Sequence, residues 1–281
     1  MDKIKYYLDT VAVRRLSKEL PKLKGNSYTS ALVILELISG INEREFKIRK
    51  QVVKNLLESR FPIVWKLPET IKAEAFPIIE IKEKRTLGLL KICFELLRSE
   101  NLETLILTTE NEVYNIDFFK EWDNTHSFGF VDATSKGNEE LKKIYNDERV
   151  NNGEAFENYA KQFVKSLASD FEVNNAVTIK GMASNYAAQV SSNGEEVSEE
   201  EVYNSYNHSI DIFLESFSLF SAKKSGVLGT PAKNDYVDLN HLLYLRSDPN
   251  CFIVTDDKMI LNIINKQSIT VQKFKEINDV L

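Results

Sequence analysis

The chain has 281 residues, 43% hydrophobic and 28% charged, with a formal net charge of −6. That apolar mass supports one large core or a core carrying an insertion, and no apolar run approaches the ~18 residues of a membrane span. The acidic balance counts against a wholly basic nucleic-acid-binding protein, but leaves room for an enzyme that holds cations in an acidic pocket beside a local basic rim. Cys93 and Cys251 are the only cysteines. They do not make a disulfide framework, and two buried thiols suit a reducing cytoplasm. The N-terminus carries Asp2 and no long apolar stretch, so no signal peptide is expected and the expected location is cytoplasmic. His126, His208 and His241 share no metal-ligand spacing, which speaks against a His/Cys zinc site.

Residues 4–8 are apolar and aromatic and stop at Asp9, which predicts a buried strand. Val13, Leu16 and Leu20 come next with helical spacing, and Pro21 and Gly25 close that segment. Ser27, Thr29 or Ser30 is then placed to cap a helix whose face holds Leu32, Leu35 and Ile38, with Glu36 inside its apolar run. Residues 43–60 predict a strongly basic helix with a stripe of Val52, Val53, Leu56 and Leu57. "FPIVW" (61–65) reads as a short strand. Residues 84–99 read as a helix through Leu87, Leu90, Cys93, Leu96 and Leu97. From about 110 to 230 the pattern is mostly helical. One stripe runs through Phe156, Tyr159, Phe163 and Leu167, and another through Val202, Tyr206, Ile210, Phe213, Phe217 and Phe220. A glycine- and proline-containing loop spans 223–235. "DLNHLLYL" reads as a short helix with Asp238 at its start, "CFIVT" as a strand and "SITVQ" as another. Strands at both ends with helices between predict an α/β core, 1–110 and 231–281, with a helical insertion over 111–230.

The acids share a pattern. Asp9 ends the first strand, Glu36 sits in an apolar helix, Asp238 opens a late helix, and Asp256 and Asp257 end a late strand. In a parallel α/β sheet the carboxyl ends of the strands face one crevice, where ligands bind. Carboxylates gathered there stay ionised only against cations, and hard oxygen ligands suit Mg²⁺ or Mn²⁺. Each acid also has an ordinary explanation. Asp238 suits an N-cap, Asp235 can cap the same helix or hold the loop, Asp9 can cap the helix after it, and Asp256 and Asp257 can be turn residues. Glu36 is hardest to explain so, because an unpaired buried glutamate is expensive.

"YYLDT", "SALVILELISG", "DLNHLLYL" and "IVTDDKMI" occur in the order and chemistry of the PIN-domain nucleases, a family that this chain resembles over residues 4–40 and 235–272. The resemblance implies a three-layer α/β/α PIN-like core with a mainly parallel sheet, of the kind found in toxin-type ribonucleases, here carrying a helical insertion. It matches Asp9, Glu36, Asp238 and Asp257 to the metal-holding catalytic acids. Thr255 matches the polar residue beside the site, and Asp256 falls in the variable position between them. Asp256 and Asp257 point opposite ways if both stay on the strand, so one is a direct ligand and the other supports it. Asp235 remains a secondary candidate.

Such a site implies a Mg- or Mn-dependent phosphodiester hydrolase, most simply an endoribonuclease, with one or two metal ions as cofactor. The resemblance favours RNA; the residues themselves do not separate RNA from DNA. It also leaves room for an antitoxin-like inhibitor protein and a homodimer, with no membrane partner. A phosphate-holding face is offered by Arg44, Lys47, Arg49, Lys50 and Lys54, and further by Lys82, Lys84, Arg85, Lys223 and Lys224. The ordinary explanation of the basic run is a solvated helix face. Two rivals stand beside the nuclease. One is a catalytically inactive PIN-like scaffold. The other is a haloacid-dehalogenase-type phosphatase, which normally needs an acid where Val11 stands.

Overall fold

Tyr6, Tyr7 and Leu8 are buried and Lys5 is not, so strand β1 (Lys5–Leu8) has apolar neighbours on both faces. The computed structural model describes residues 3–80, 83–152, 162, 170–192, 196–226 and 229–278. It divides into two units: Met1–Lys72, Ile81–Thr125 and His241–Leu281 form the first, Ala73–Glu80 and His126–Asn240 the second.

The first unit is built on a sheet of five parallel strands in the order β3-β2-β1-β4-β5. The others are β2 (Ser27–Ser30), β3 (Ile63–Val64), β4 (Cys251–Val254) and β5 (Ser268–Ile269). The expected α/β class and parallel sheet are therefore present, and strands from the two ends of the chain are neighbours, with Lys5 opposite Cys251 and Leu8 opposite Val254. The chain lays β2 and β3 to one side of β1, and β5 beyond β4 on the other. The order reverses between β1 and β4, which is where doubly wound sheets open their ligand crevice.

Strand β2 falls where the sequence predicts only a helix cap. "SYTS" lacks an apolar run, yet Ser27, Thr29 and Ser30 are buried. Side-chain hydroxyls of this strand are bonded within the fold: Thr29 Oγ1 donates to the Leu8 carbonyl (2.8 Å) and Tyr28 Oη to the Tyr244 carbonyl (2.6 Å). Polar side chains tolerate burial when so paired. Ser30 then accepts from Val33 N–H (3.4 Å) at the start of α3 (Ala31–Ser39), whose residues are buried nearly all round. The helix expected after Asp9 is two short ones, α1 (Thr10–Arg15) and α2 (Leu20–Leu23). Pro21 lacks the N–H a helix interior needs, and it sits instead in the first turn of α2.

Helix α4 (Phe46–Glu58) buries Val52, Val53 and Leu56 as expected, whereas Leu57 of the expected stripe is only half-buried. Helices α5 (Pro68–Glu74), α6 (Arg85–Arg98) and α7 (Leu102–Thr109) come after it. Helix α6 is turned relative to the expected stripe: Leu89, Ile92, Cys93 and Leu96 are buried, whereas Leu87 is 67% exposed. Gly88 lies on the buried face. A Cβ built there would lie 2.4 Å from Tyr114 Cβ, so the helix meets Tyr114 through a residue without a side chain. Gly88→Ala is expected to destabilise the protein by about 1–3 kcal/mol, the usual cost of overpacking. The melting transition checks this, and an unchanged or higher Tm would contradict it.

The described part of the second unit is helical. α8 (Ile116–Asn152) runs across the division, and α9 (Phe171–Ser192), α10 (Glu199–Asn204), α11 (Asp211–Gly226) and α12 (Asp235–Asn240) come next. The stripe expected from Val202 to Phe220 is split between α10 and α11. Asn207 ends the first half by bonding away from the helix: its N–H reaches the Ala75 carbonyl (2.9 Å) and its side chain the Glu74 carbonyl (2.8 Å). His208 adopts φ 62°, outside helical geometry. Phe76 packs between Tyr186 and Tyr206, and Phe130 stacks on Tyr236. Phe156, Tyr159, Phe163 and Leu167 lie outside the described residues, as do Lys82 and the side chain of Lys223. The first unit ends with a 3-10 turn (His241–Leu245), α13 (Lys258–Ile263) and α14 (Val271–Ile277). Among the described residues no helix is long and apolar enough to cross a membrane.

Candidate functional site

The pairing of Leu8 with Val254 carries the next residues, Asp9 and Thr255, side by side at the carboxyl edge of the sheet. Asp9 is 6% exposed. Its Oδ1 accepts from Ala12 N–H (2.7 Å), which caps α1, and the Thr255 hydroxyl donates to the same carboxylate. Thr255 is fully buried and accepts from Asp257 N–H (2.9 Å), so its hydroxyl has both a donor and an acceptor. Burial pushes the Asp9 carboxyl up to about 6, and the nearby Glu36 charge adds to this. His241, Thr255 and the Ala12 N–H pull the other way without cancelling it.

Glu36 comes off α3 into the same neighbourhood, its side chain 21% exposed. Its Oε2 accepts from Thr10 Oγ1 and from His241 Nε2 (3.0 Å). Burial alone would push this carboxyl up, but His241, Thr10 and Arg49 hold it below the ordinary value. The two acids are therefore tuned in opposite directions. At Asp9 desolvation outweighs the nearby His241 charge and the donors, whereas at Glu36 the donors and positive charge outweigh burial.

Asp256 and Asp257 both lie beyond the end of β4, outside the strand, and have different partners. Asp256 forms an ion pair with Arg15 and accepts from Val271 N–H (3.1 Å), which ties it to the start of α14. Asp257 turns the other way and caps α13 through Oδ1, accepting from Ile260 N–H (2.9 Å). Asp238 is on α12 of the second unit, within the helix's first turn, so it is not the expected N-cap. Asp235 holds the preceding loop, accepting from Ala232 N–H (2.7 Å) and pairing with Lys224 (3.5 Å). The structure thus brings Asp9, Glu36 and Thr255 together within the first unit, leaves Asp256 neutralised by Arg15, and carries Asp238 and Asp235 on the second unit.

Sequence reasoning passed over Thr10, Tyr7 and Ser30, and set His241 aside. His241 is 4% exposed, and its Nδ1 lies 2.6 Å from Tyr7 Oη, which also meets Ser30 Oγ at 2.8 Å. One signal was available: His241 stands three residues after Asp238, one helical turn on.

The basic helix divides in two. Arg44, Lys47 and Lys54 are exposed. Arg49 instead caps α3, its Nη1 donating to the Glu36 (2.7 Å) and Leu37 (3.2 Å) carbonyls, and its Nε to Glu45 (2.5 Å). Lys50 donates to the Ser99 carbonyl (2.6 Å). Arg49→Ala is expected to cost about 1–3 kcal/mol of stability, because it strands charge-assisted bonds. Replacing Arg44, Lys47 and Lys54 together by Gln should leave the melting transition within about 0.5 kcal/mol and flatten any salt dependence of RNA binding. Melting curves and binding titrations at two salt concentrations check both halves. A family-model scan, a search of curated proteins and a search of solved structures find nothing that matches this chain.

Proposed function

We propose that this protein is a metal-dependent nuclease with a three-layer PIN-like core, an endoribonuclease of the cytoplasm that hydrolyses phosphodiester bonds in RNA. The observation that carries the proposal is the arrival of Asp9 and Glu36 at the edge of the sheet where strand order reverses, with the Asp9 carboxyl buried and pushed up to about 6. The donor set fits a hard divalent cation, Mg²⁺ or Mn²⁺, because its open positions are carboxylate oxygens. Asp9 and Glu36 would hold the ion, and Asp257 joins them through the resemblance. Asp238 joins the proposal through the resemblance. When bound, the ion would supply an activated water and a counter-charge for phosphate. The chain's own contribution is positional: Thr255 and the Ala12 N–H fix Asp9, and Thr10 and His241 fix Glu36. Arg44, Lys47 and Lys54 are the side chains proposed to meet the RNA backbone.

The test is cleavage of a mixed RNA pool with Mn²⁺ and with chelator, together with a Mn²⁺ titration by calorimetry. Metal-dependent cleavage is the expected result. A second reading, a catalytically inactive scaffold, is favoured by one observation: Glu36 already has two internal donors. A chain that neither cuts RNA nor binds Mn²⁺ would decide for the scaffold.

A further inference from the structure

Both ring nitrogens of His241 are engaged by the protein itself, Nδ1 by Tyr7 Oη (2.6 Å) and Nε2 by Glu36 Oε2 (3.0 Å). Tyr7 is fully buried, its ring stacked on Tyr244 with centroids 5.3 Å apart. A phenylalanine would supply the same stacking, so the packing does not account for the hydroxyl, which instead sits between Ser30 and His241. A phenol has one proton. If Tyr7 donates to Nδ1, the imidazole is neutral and its hydrogen is on Nε2. If Tyr7 donates to Ser30, Nδ1–H must donate to Tyr7, and the contact with an ionised Glu36 needs a hydrogen on Nε2 as well. Either way Nε2–H points at Glu36. Thr10 donates to that same oxygen, so among the described residues the side-chain hydrogen bonds to this carboxylate all fall on Oε2. Oε1 has no side-chain hydrogen-bond donor among the described residues.

We infer that Tyr7 and His241 form a buried strut that positions Glu36, presenting Oε1 to a divalent cation, and that His241 is a positioning residue and not itself a ligand. This rests on the metal-site reading and names the residues that make it precise. Partners of this kind typically change metal affinity or activity by about 10–100-fold when removed. The experiment uses the full chain and Mn²⁺ as the probe. Tyr7→Phe keeps the stacked ring and removes the hydroxyl, and should weaken Mn²⁺ binding about tenfold or more by calorimetry. His241→Gln should weaken it to a similar degree. The double variant should be no worse than His241→Gln alone, because both act through one carboxylate. Wild-type affinity in Tyr7→Phe would overturn the strut, and so would a His241→Gln loss far exceeding that of Tyr7→Phe, the pattern of a direct ligand. Ring-nitrogen NMR shifts of His241 give a readout independent of metal. Glu36→Gln and Tyr7→Phe should each move them, and unchanged shifts would overturn the inference. A wild type that binds no Mn²⁺ while these shifts do move removes the metal reading and leaves the strut standing. Should Tyr7→Phe fail to fold, His241→Gln carries the Mn²⁺ titration and Glu36→Gln the ring-nitrogen shifts.

Discussion

Asp9→Asn is expected to abolish Mn²⁺-dependent RNA cleavage while making the protein more stable at neutral pH. The activity loss follows from removing a proposed cation ligand at almost constant volume. The stability gain follows from burial. The folded Asp9 carboxyl titrates at about 6 against an ordinary 3.8. Below pH ~4 the side chain is protonated in both folded and unfolded chains and contributes no penalty. As pH rises from about 4 to 6 the unfolded chain loses its proton and the folded one retains it, so stability falls through that window. Above pH 6 the penalty is fully present, on the order of 2–3 kcal/mol. Asparagine removes it and still accepts from Ala12 N–H, since asparagine and aspartate cap helices about equally well. Melting curves of wild type and variant at pH 4, 6 and 8 are the measurement. The variant's advantage should be absent at pH 4 and present at pH 8 in metal-free buffer, and Mn²⁺ should narrow it by stabilising only the wild type. An advantage independent of pH would show that desolvation of this carboxylate is not its cause. Equal cleavage by both proteins would remove Asp9 from the catalytic site.

Glu36→Gln is expected to abolish cleavage equally but to shift stability in the opposite direction. Here burial, which raises the carboxyl, is outweighed by His241, Thr10 and Arg49, so the folded value lies below the ordinary 4.5. A depressed carboxyl contributes stability that is present above the unfolded value and lost as pH falls through the folded one. At neutral pH the glutamine variant should therefore be less stable by about 1–3 kcal/mol, the scale of hydrogen bonds to a charged group. The difference should close as pH drops below about 4.5. Two acids in one site with opposite effects on stability make a stringent check, because a generic loss of packing would give both variants the same sign. If Glu36→Gln melts at or above the wild type at pH 7, the Thr10 and His241 contacts do not stabilise the carboxylate.

The local signals in the sequence located much of the frame. Apolar runs ending at Asp9 and Thr255 mark β1 and β4, and Ser30 ahead of "ALVILELIS" marks a capped helix. These are legible because strand length, helical period and capping depend on residues within a few positions of each other. Features that depend on partners far along the chain were decided only by the tertiary structure. "SYTS" becomes a central strand because Leu8 and Tyr244 supply acceptors for its hydroxyls. Leu87 faces solvent while its neighbour Gly88 packs against Tyr114. Arg49, one basic residue among many in the sequence, becomes the cap of α3 because α4 lies against its last carbonyls. The candidate site obeys the same division. The acids announce themselves by chemistry and order, but the role of each one depends on its neighbours. Arg15 neutralises Asp256, burial raises Asp9, and His241, 205 residues from Glu36, meets it only through the fold. A carboxylate's charge is a property of its residue type; its proton affinity is a property of the dielectric and donors around it, and those are set by the packing of distant segments.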